Sequence, residues 1–300
     1  MSGGALLDRL ENPEEAVSLS AFRERFHYLD IMHHLPGLGS LAGAPSLLMK
    51  LRGALGHRLY QSASQESRAG EPCPWQPPCA HDMLFRKQGR LKKAVDFPSP
   101  WIIQTHRVRH DLRVTLRLFG FAIDYGPAAA EAMGAALQHD IDYRALTGMK
   151  PSSEMVADRR LGMVNYEPAN PAANHCLTFN SPVAISNNSP LESPASLVKT
   201  LAVRLEGMAR WYDCDLVTDL SALGDIIAAA QFEWQDPLLM EWERYSMPQK
   251  RRIPMAGHLG QLQVASAAPA MATLLSMGAA VNMGADIAFG LGHYDYAGQD

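Results

Sequence analysis

Lys50 and His57 stand seven residues apart, and Tyr60 follows three residues later. An imidazole exchanges protons near neutral pH, an ammonium group holds developing negative charge, and a phenol orients a base or donates to an anion. Together they supply the parts of general acid–base catalysis at an anionic centre. They share a surface only on a helix, and the stretch SLLMKLRGALGHRLYQSAS provides one. Ser46 is placed to cap it, Leu48, Leu51, Leu55 and Leu59 fall on one side, and Ser46, Lys50, Gly53, His57 and Gln61 fall on the other. Lys50 and His57 therefore share the polar face, two turns apart. The competing reading is an ordinary solvated helix face, where exposed lysine and histidine are common.

Other histidines have weaker claims. His33 and His34 end the first strand-like segment and rank behind His57 as catalytic candidates, with no carboxylate or thiol placed near them as a metal partner. His106 and His110 have the four-residue spacing of a helical zinc pair, but they lie in a strand-like region where that spacing means something else. His258 sits inside GHLG and is placed to face a ligand from the second half of the chain. Cys73, Cys79, Cys176 and Cys214 lack knuckle spacing and read as free thiols. No metal or cofactor is expected.

The net charge of −4 argues globally against a nucleic-acid binder, but its distribution matters more. Between Arg86 and Arg117 nine lysines and arginines face two aspartates. Leu201 to Glu243 is acidic, and RYSMPQKRR then restores positive charge. Arg113 and Arg117 on one strand face, with Lys250, Arg251 and Arg252 in the second half, are the expected phosphate contacts. The five tryptophans are expected in the core. No apolar run reaches the ~20 residues of a membrane span, and the acidic N-terminus is unlike a signal peptide, so a cytoplasmic protein is expected.

The elements that must position these groups occur in a repeated order. Phe22 to Met32 reads as a strand, the helix above follows, Glu66 to Pro100 reads as a long exposed loop, and WIIQTHRVRHDLRVTLRLF reads as a hairpin turning near His110 and Asp111. In its second strand Leu112, Val114, Leu116 and Leu118 point one way and Arg113, Thr115 and Arg117 the other. A helix over GPAAAEAMGAALQ and a closing strand within EMVADRRLGMVNYE complete a βαββαβ unit. HCLTFNSPVAIS, SPASLVKTLAVRLEGMARWY, AAQFEWQ, RIPMAGHLGQLQVAS, APAMATLLSMGAAV and MGADIAFGLGHYDY repeat that order, the last read as the final strand. The expected fold is α+β: an acidic leader over 1–20, a ferredoxin-like domain over 21–168, a linker over 169–173 and a second ferredoxin-like domain over 174–300 with a glycine-rich segment at its end.

RYSMPQKRRIPMAGHLGQLQV followed by LLSMGAAVNMGADIAFGLGHYDY resembles the C-terminal region of the CRISPR repeat-processing endoribonucleases, the Cas6 family of the RAMP superfamily. The matching glycines are Gly257 with Gly260, and Gly284 with Gly290 and Gly292. KLRGALGHRLY, CAHDMLF and LRVTLRLFGFAIDY resemble earlier family elements in the same order. The resemblance implies tandem ferredoxin-like domains and metal-independent cleavage of CRISPR repeat RNA at the base of a stem-loop, leaving 2′,3′-cyclic phosphate and 5′-hydroxyl ends. It implies a catalytic histidine in or near the first helix, where His57 stands with Lys50 and Tyr60 on its polar side, and an approach of Gly284, Gly290 and Gly292 to RNA, which His258 is placed to face from the second domain. The alternative is a RAMP-type subunit that holds guide RNA in an effector complex without cutting. Partners are then repeat RNA and other CRISPR subunits, with a homodimer left open. Where family members commonly carry lysine after the first glycine of the final segment, this chain has Ala285 and Asp286.

Overall fold

In the computed structural model, residues 3–148, 158–165, 173–185, 190–216, 220–246 and 250–299 are described. The principal elements form two units. The first contains β1 (His27–Leu35), α1 (Pro45–Gln61), β2 (Trp101–Val108), β3 (Asp111–Phe119), α2 (Gly126–His139) and β4 (Asp158–Asn165). Its antiparallel sheet has the order β2-β3-β1-β4. The second contains β5 (Asn174–Val183), α3 (Pro194–Arg210), β6 (Gln231–Ser246), β7 (Arg251–Ala265), α4 (Pro269–Val281) and β8 (Tyr294–Gln299), in the order β6-β7-β5-β8. Both sheets place the second and third strands as a hairpin beside the first, with the fourth on its other side, which is the ferredoxin-like arrangement.

Alternation in β3 sets the layers. Leu112, Val114, Leu116 and Leu118 are fully buried, while Arg113, Thr115 and Arg117 line the opposite face. At ~25 cal/mol per Å² of apolar surface, this stripe is a principal reason for the sheet to hold helices on one side. The hairpin turn follows the expected position, with Val108 opposite Asp111 and Arg109 in the left-handed region. The apolar core continues without a break into the second unit.

Several expectations are corrected. Phe22–Met32 is not one strand: Leu19–Arg25 is a helix, capped by the Ser18 hydroxyl, and the strand begins at His27. Ser18 captures the Ala21 N–H there, so the hydroxyl wins over the weak alternation. Helix α1 begins with Pro45 after Ala44, so Ser46 does not cap it. Within 66–100 lie a helix at Ala80–Phe85 and short paired strands at Arg90–Lys92 and Val95–Asp96. The acidic leader is a strap: Gly3–Glu11 is helical with Leu6 and Leu10 fully buried, Arg9 pairs with Asp213, and Glu15–Val17 pairs in parallel with Cys214–Leu216. The final strand starts only at Tyr294, because left-handed Asp286 and Gly290 turn the preceding residues into a short 3-10 helix, Ile287–Phe289. The expected linker lies outside the described residues except for Ala173. Among the described residues, no helix is long and apolar enough to cross a membrane.

Candidate nucleic-acid interface

The cationic face of the first sheet is not open. Helix α4 and strand β8 of the second unit lie against it and leave a polar cleft of about 430 Å³. Asp30, Gln104, His106, Arg113, Thr115 and Arg117 line it from the first unit, and Ser276, His293, Asp295 and Tyr296 from the second.

Arg117 closes one end. Its Nε donates to Asp30 Oδ1 at 2.7 Å, one terminal nitrogen donates to Asp30 Oδ2 at 2.9 Å, and the other donates to the Ala280 carbonyl at 3.1 Å. Its guanidinium also lies 3.7 Å from the centre of the Tyr28 ring. Arg204 donates to the Val281 carbonyl at 2.8 Å. Two arginines thus satisfy the C-terminal carbonyls of α4, where cations are favoured. The expectation that Arg117 contacts phosphate is corrected: its donors are engaged in joining the units.

Arg113 is different. It lines the same cleft four residues away along β3, and among the described residues it has no carboxylate partner, while its Nε is buried without an acceptor. Its register partners are His34 and His106. The His106 and His293 rings meet edge to face, 4.7 Å apart. Burial first, then the Arg113 charge, pushes His106 down to about 4. Burial and neighbouring His106 push His293 down to about 3. Both imidazoles are therefore neutral at pH 7, and the cleft offers them as hydrogen-bonding groups beside an unpaired cation. His293 belongs to GLGHYDY, yet no spacing rule singles it out; its position directly after the glycine pair is the available signal.

The glycines of that segment are explained by the chain's own packing. Gly284, Gly290 and Gly292 all have positive φ. A methyl group on Gly292 would run into the Met283 carbonyl, and one on Gly284 into the Ala184 carbonyl. Gly290 packs against Leu48 and the Ile103 carbonyl. The segment is tied down by Met283 N–H to Gly292 O at 3.0 Å and by Asn282, which accepts from Gln104 and donates to the Leu291 carbonyl. The space a Cβ would occupy at these positions is filled by the chain's own atoms, so close packing of the protein on itself accounts for the three glycines.

The remaining candidates are dispersed. Lys50 and His57 are exposed on α1, and the His57 Nε2 and Gln61 Nε2 atoms lie 3.0 Å apart. Tyr60 is 43% exposed, with its ring edge-on to His81. His33 is buried beneath Gly134 of α2, which removes it as a catalytic candidate, whereas His34 lies 3.3 Å from Asp111 at the hairpin. Lys250, Arg251 and Arg252 are exposed by the β6–β7 turn, and Arg252 pairs with Glu243 at 3.0 Å. His258 on β7 is partly buried, which lowers its pKa, and its Nδ1 has no acceptor or donor partner. The positive run from Arg86 to Arg117 is also partly neutralised internally, by Arg86–Asp82, Lys87–Asp96 and Lys92–Glu206. All four cysteines are free and buried, and no cluster of three metal-ligating side chains occurs among the described residues.

Residues 177–294 match the family model described as CRISPR-associated endoribonuclease Cas6, and residues 48–145 match a model described as an N-terminal domain. A solved Cas6 product complex is 14% identical, with 90% of this chain and 99% of that chain covered and a TM-score of 0.52. A second Cas6 product complex is 12% identical over 90% and 99% of the two chains, with a TM-score of 0.48. Thermus thermophilus Cas6 is 12% identical over 91% and 99%, with a TM-score of 0.47. No curated protein matched the chain. Over residues 177–294 the chain is thus similar to the Cas6 family of CRISPR-associated endoribonucleases, and it shares their fold.

Proposed function

We propose that the protein binds CRISPR repeat RNA and cuts it into guide RNAs by metal-independent acid–base chemistry. The observation that carries the binding half is the cleft between the two units, where Arg113 is held beside neutral His106 and His293 with no carboxylate partner among the described residues. A phosphodiester is the ligand that such a cation, set among polar walls, would repay for its desolvation.

Cutting is assigned to the outer face of α1. His57 takes the proton of a 2′-hydroxyl, the 2′-oxygen attacks the adjacent phosphorus, and the bond to the 5′-oxygen breaks as that oxygen gains a proton. Lys50 stabilises charge on the phosphorane, and Tyr60 is the donor one turn beyond His57. Gly53 lies between Lys50 and His57, and the space beside its Cα is open. The products are a 2′,3′-cyclic phosphate and a 5′-hydroxyl. A stem-loop repeat, and other subunits of a CRISPR assembly, are the proposed partners.

One observation favours a second reading. His57 is on the exposed surface of α1 and not in the cleft, so grip and cutting groups are separate. A guide-RNA-holding subunit that does not cut would have the same cleft. Incubating the purified protein with 5′-labelled cognate repeat RNA in EDTA separates them. A single cut with a cyclic phosphate end supports the endonuclease; tight binding without a cut supports the holding subunit.

A further inference from the structure

A second pair of cations lies outside the cleft. Arg52 on α1 and Arg244 on β6 both approach the ring of Phe289, with guanidinium carbons 4.6 and 4.8 Å from its centre. Arg52 is also 5.6 Å from the Phe85 ring. Among the described residues neither guanidinium has a carboxylate within ion-pair distance, and the Nε of each is buried without an acceptor. Burial lowers the Arg52 pKa, the Arg244 charge lowers it further, and Asp286 opposes both. Like charges brought together and partly desolvated are costly, and an aromatic face repays only ~0.5–2 kcal/mol per cation.

The arrangement is built, not incidental to two flexible surface chains. Phe289 is presented by the turn between left-handed Asp286 and Gly290, and Gly290 packs on Leu48, one helical turn before Arg52. Arg244 is fixed in register opposite Ile253. Three separate parts of the chain therefore converge to hold two forks of donors against one ring. An anion bridging both forks satisfies the orphaned donors and removes the repulsion.

We propose that Arg52 and Arg244 together hold one phosphodiester of the RNA strand, beside the glycine-rich turn. This rests on the reading that the protein binds repeat RNA. Phe289 then serves to keep both guanidinium groups in place before RNA arrives. At ~100° per residue, Arg52 lies roughly 140° around α1 from His57, so the strand would pass along the helix from grip to cutting face.

The proposal is tested by anisotropy of labelled repeat RNA with wild type, Arg52→Gln, Arg244→Gln and the double variant across salt, combined with thermal shifts produced by inorganic pyrophosphate. Each single change is expected to weaken binding about tenfold. The double change should weaken it little more, because both side chains serve one phosphate, and the salt slope should fall by about 0.7 to 0.9. Pyrophosphate should raise the melting temperature of wild type and not of Arg52→Gln. Unchanged affinity and slope in both single variants, with RNA still bound by wild type, overturns the inference and leaves the functional reading intact. If wild type binds no RNA, that reading fails, and the pyrophosphate arm alone decides: an arginine-dependent shift supports an anion site, and no shift overturns it.

Discussion

The cleft and the outer face of α1 each set histidine near a cation, yet they differ in solvent. In the cleft, burial keeps His106 and His293 neutral and leaves Arg113 short of partners. On α1, Lys50 and His57 stand in water, and the His57 ring is within hydrogen-bond reach of Gln61, itself exposed. The same residue types therefore stand in different surroundings: a desolvated cation favours an anion placed beside it, while the outer helix face is open to solvent. Arg113 and Arg117 repeat the lesson four residues apart, one with an unused buried donor and one fully occupied in joining two units.

The largest effect expected from breaking this contrast is on stability. Arg117→Ala leaves Asp30 buried without its partner and uncaps α4, and should cost about 3–5 kcal/mol in urea unfolding at pH 7. Arg113→Ala, on the same strand face, should cost under about 1 kcal/mol. Equal losses would erase the distinction between structural and available arginine.

Acidification follows in size. His81, His106, His175, His258 and His293 all have pKa values lowered by burial. The unfolded chain takes up their protons below about 6.5, whereas folded His106 resists to about 4 and folded His293 to about 3. Stability should therefore be full above pH 7 and fall by a few kcal/mol between pH 6.5 and 4. His106→Gln should flatten part of that fall. A profile level from pH 7 to 4.5 would show that the cleft is wetter than its geometry indicates.

The smallest effect concerns grip. Arg113→Gln should weaken repeat-RNA binding about tenfold and reduce the salt slope by about one phosphate contact, with the cleavage rate of saturated enzyme nearly unchanged. A fall in that rate with affinity preserved would move Arg113 from binding to chemistry.

Much of this is legible from local pattern. The alternation of Leu112 to Leu118 against Arg113, Thr115 and Arg117 defines both faces of β3, and the hairpin turn follows from Arg109, His110 and Asp111. The repeated order of elements matches both sheets. What local pattern does not contain is which unit covers which face. Arg117 reads as a free cation until α4 is docked on it, and His33 reads as accessible until α2 covers it. His106 and His293 are 187 residues apart in the chain and meet only because the units close on each other. The glycines are sites of close backbone approach, as their spacing suggests, but the backbone that approaches is the protein's own.

In the proposed division of labour the outer face of α1 cuts while the cleft holds. Single-turnover cleavage of labelled repeat RNA in EDTA, with enzyme in excess, tests it most directly by comparing His57→Ala with His106→Ala. The expected result is a loss of about 10²-fold or more in His57→Ala with RNA affinity retained, and less than about tenfold in His106→Ala. The reverse order, with His106→Ala inactive and His57→Ala cutting at the wild-type rate, would contradict the assignment and place the chemistry inside the cleft.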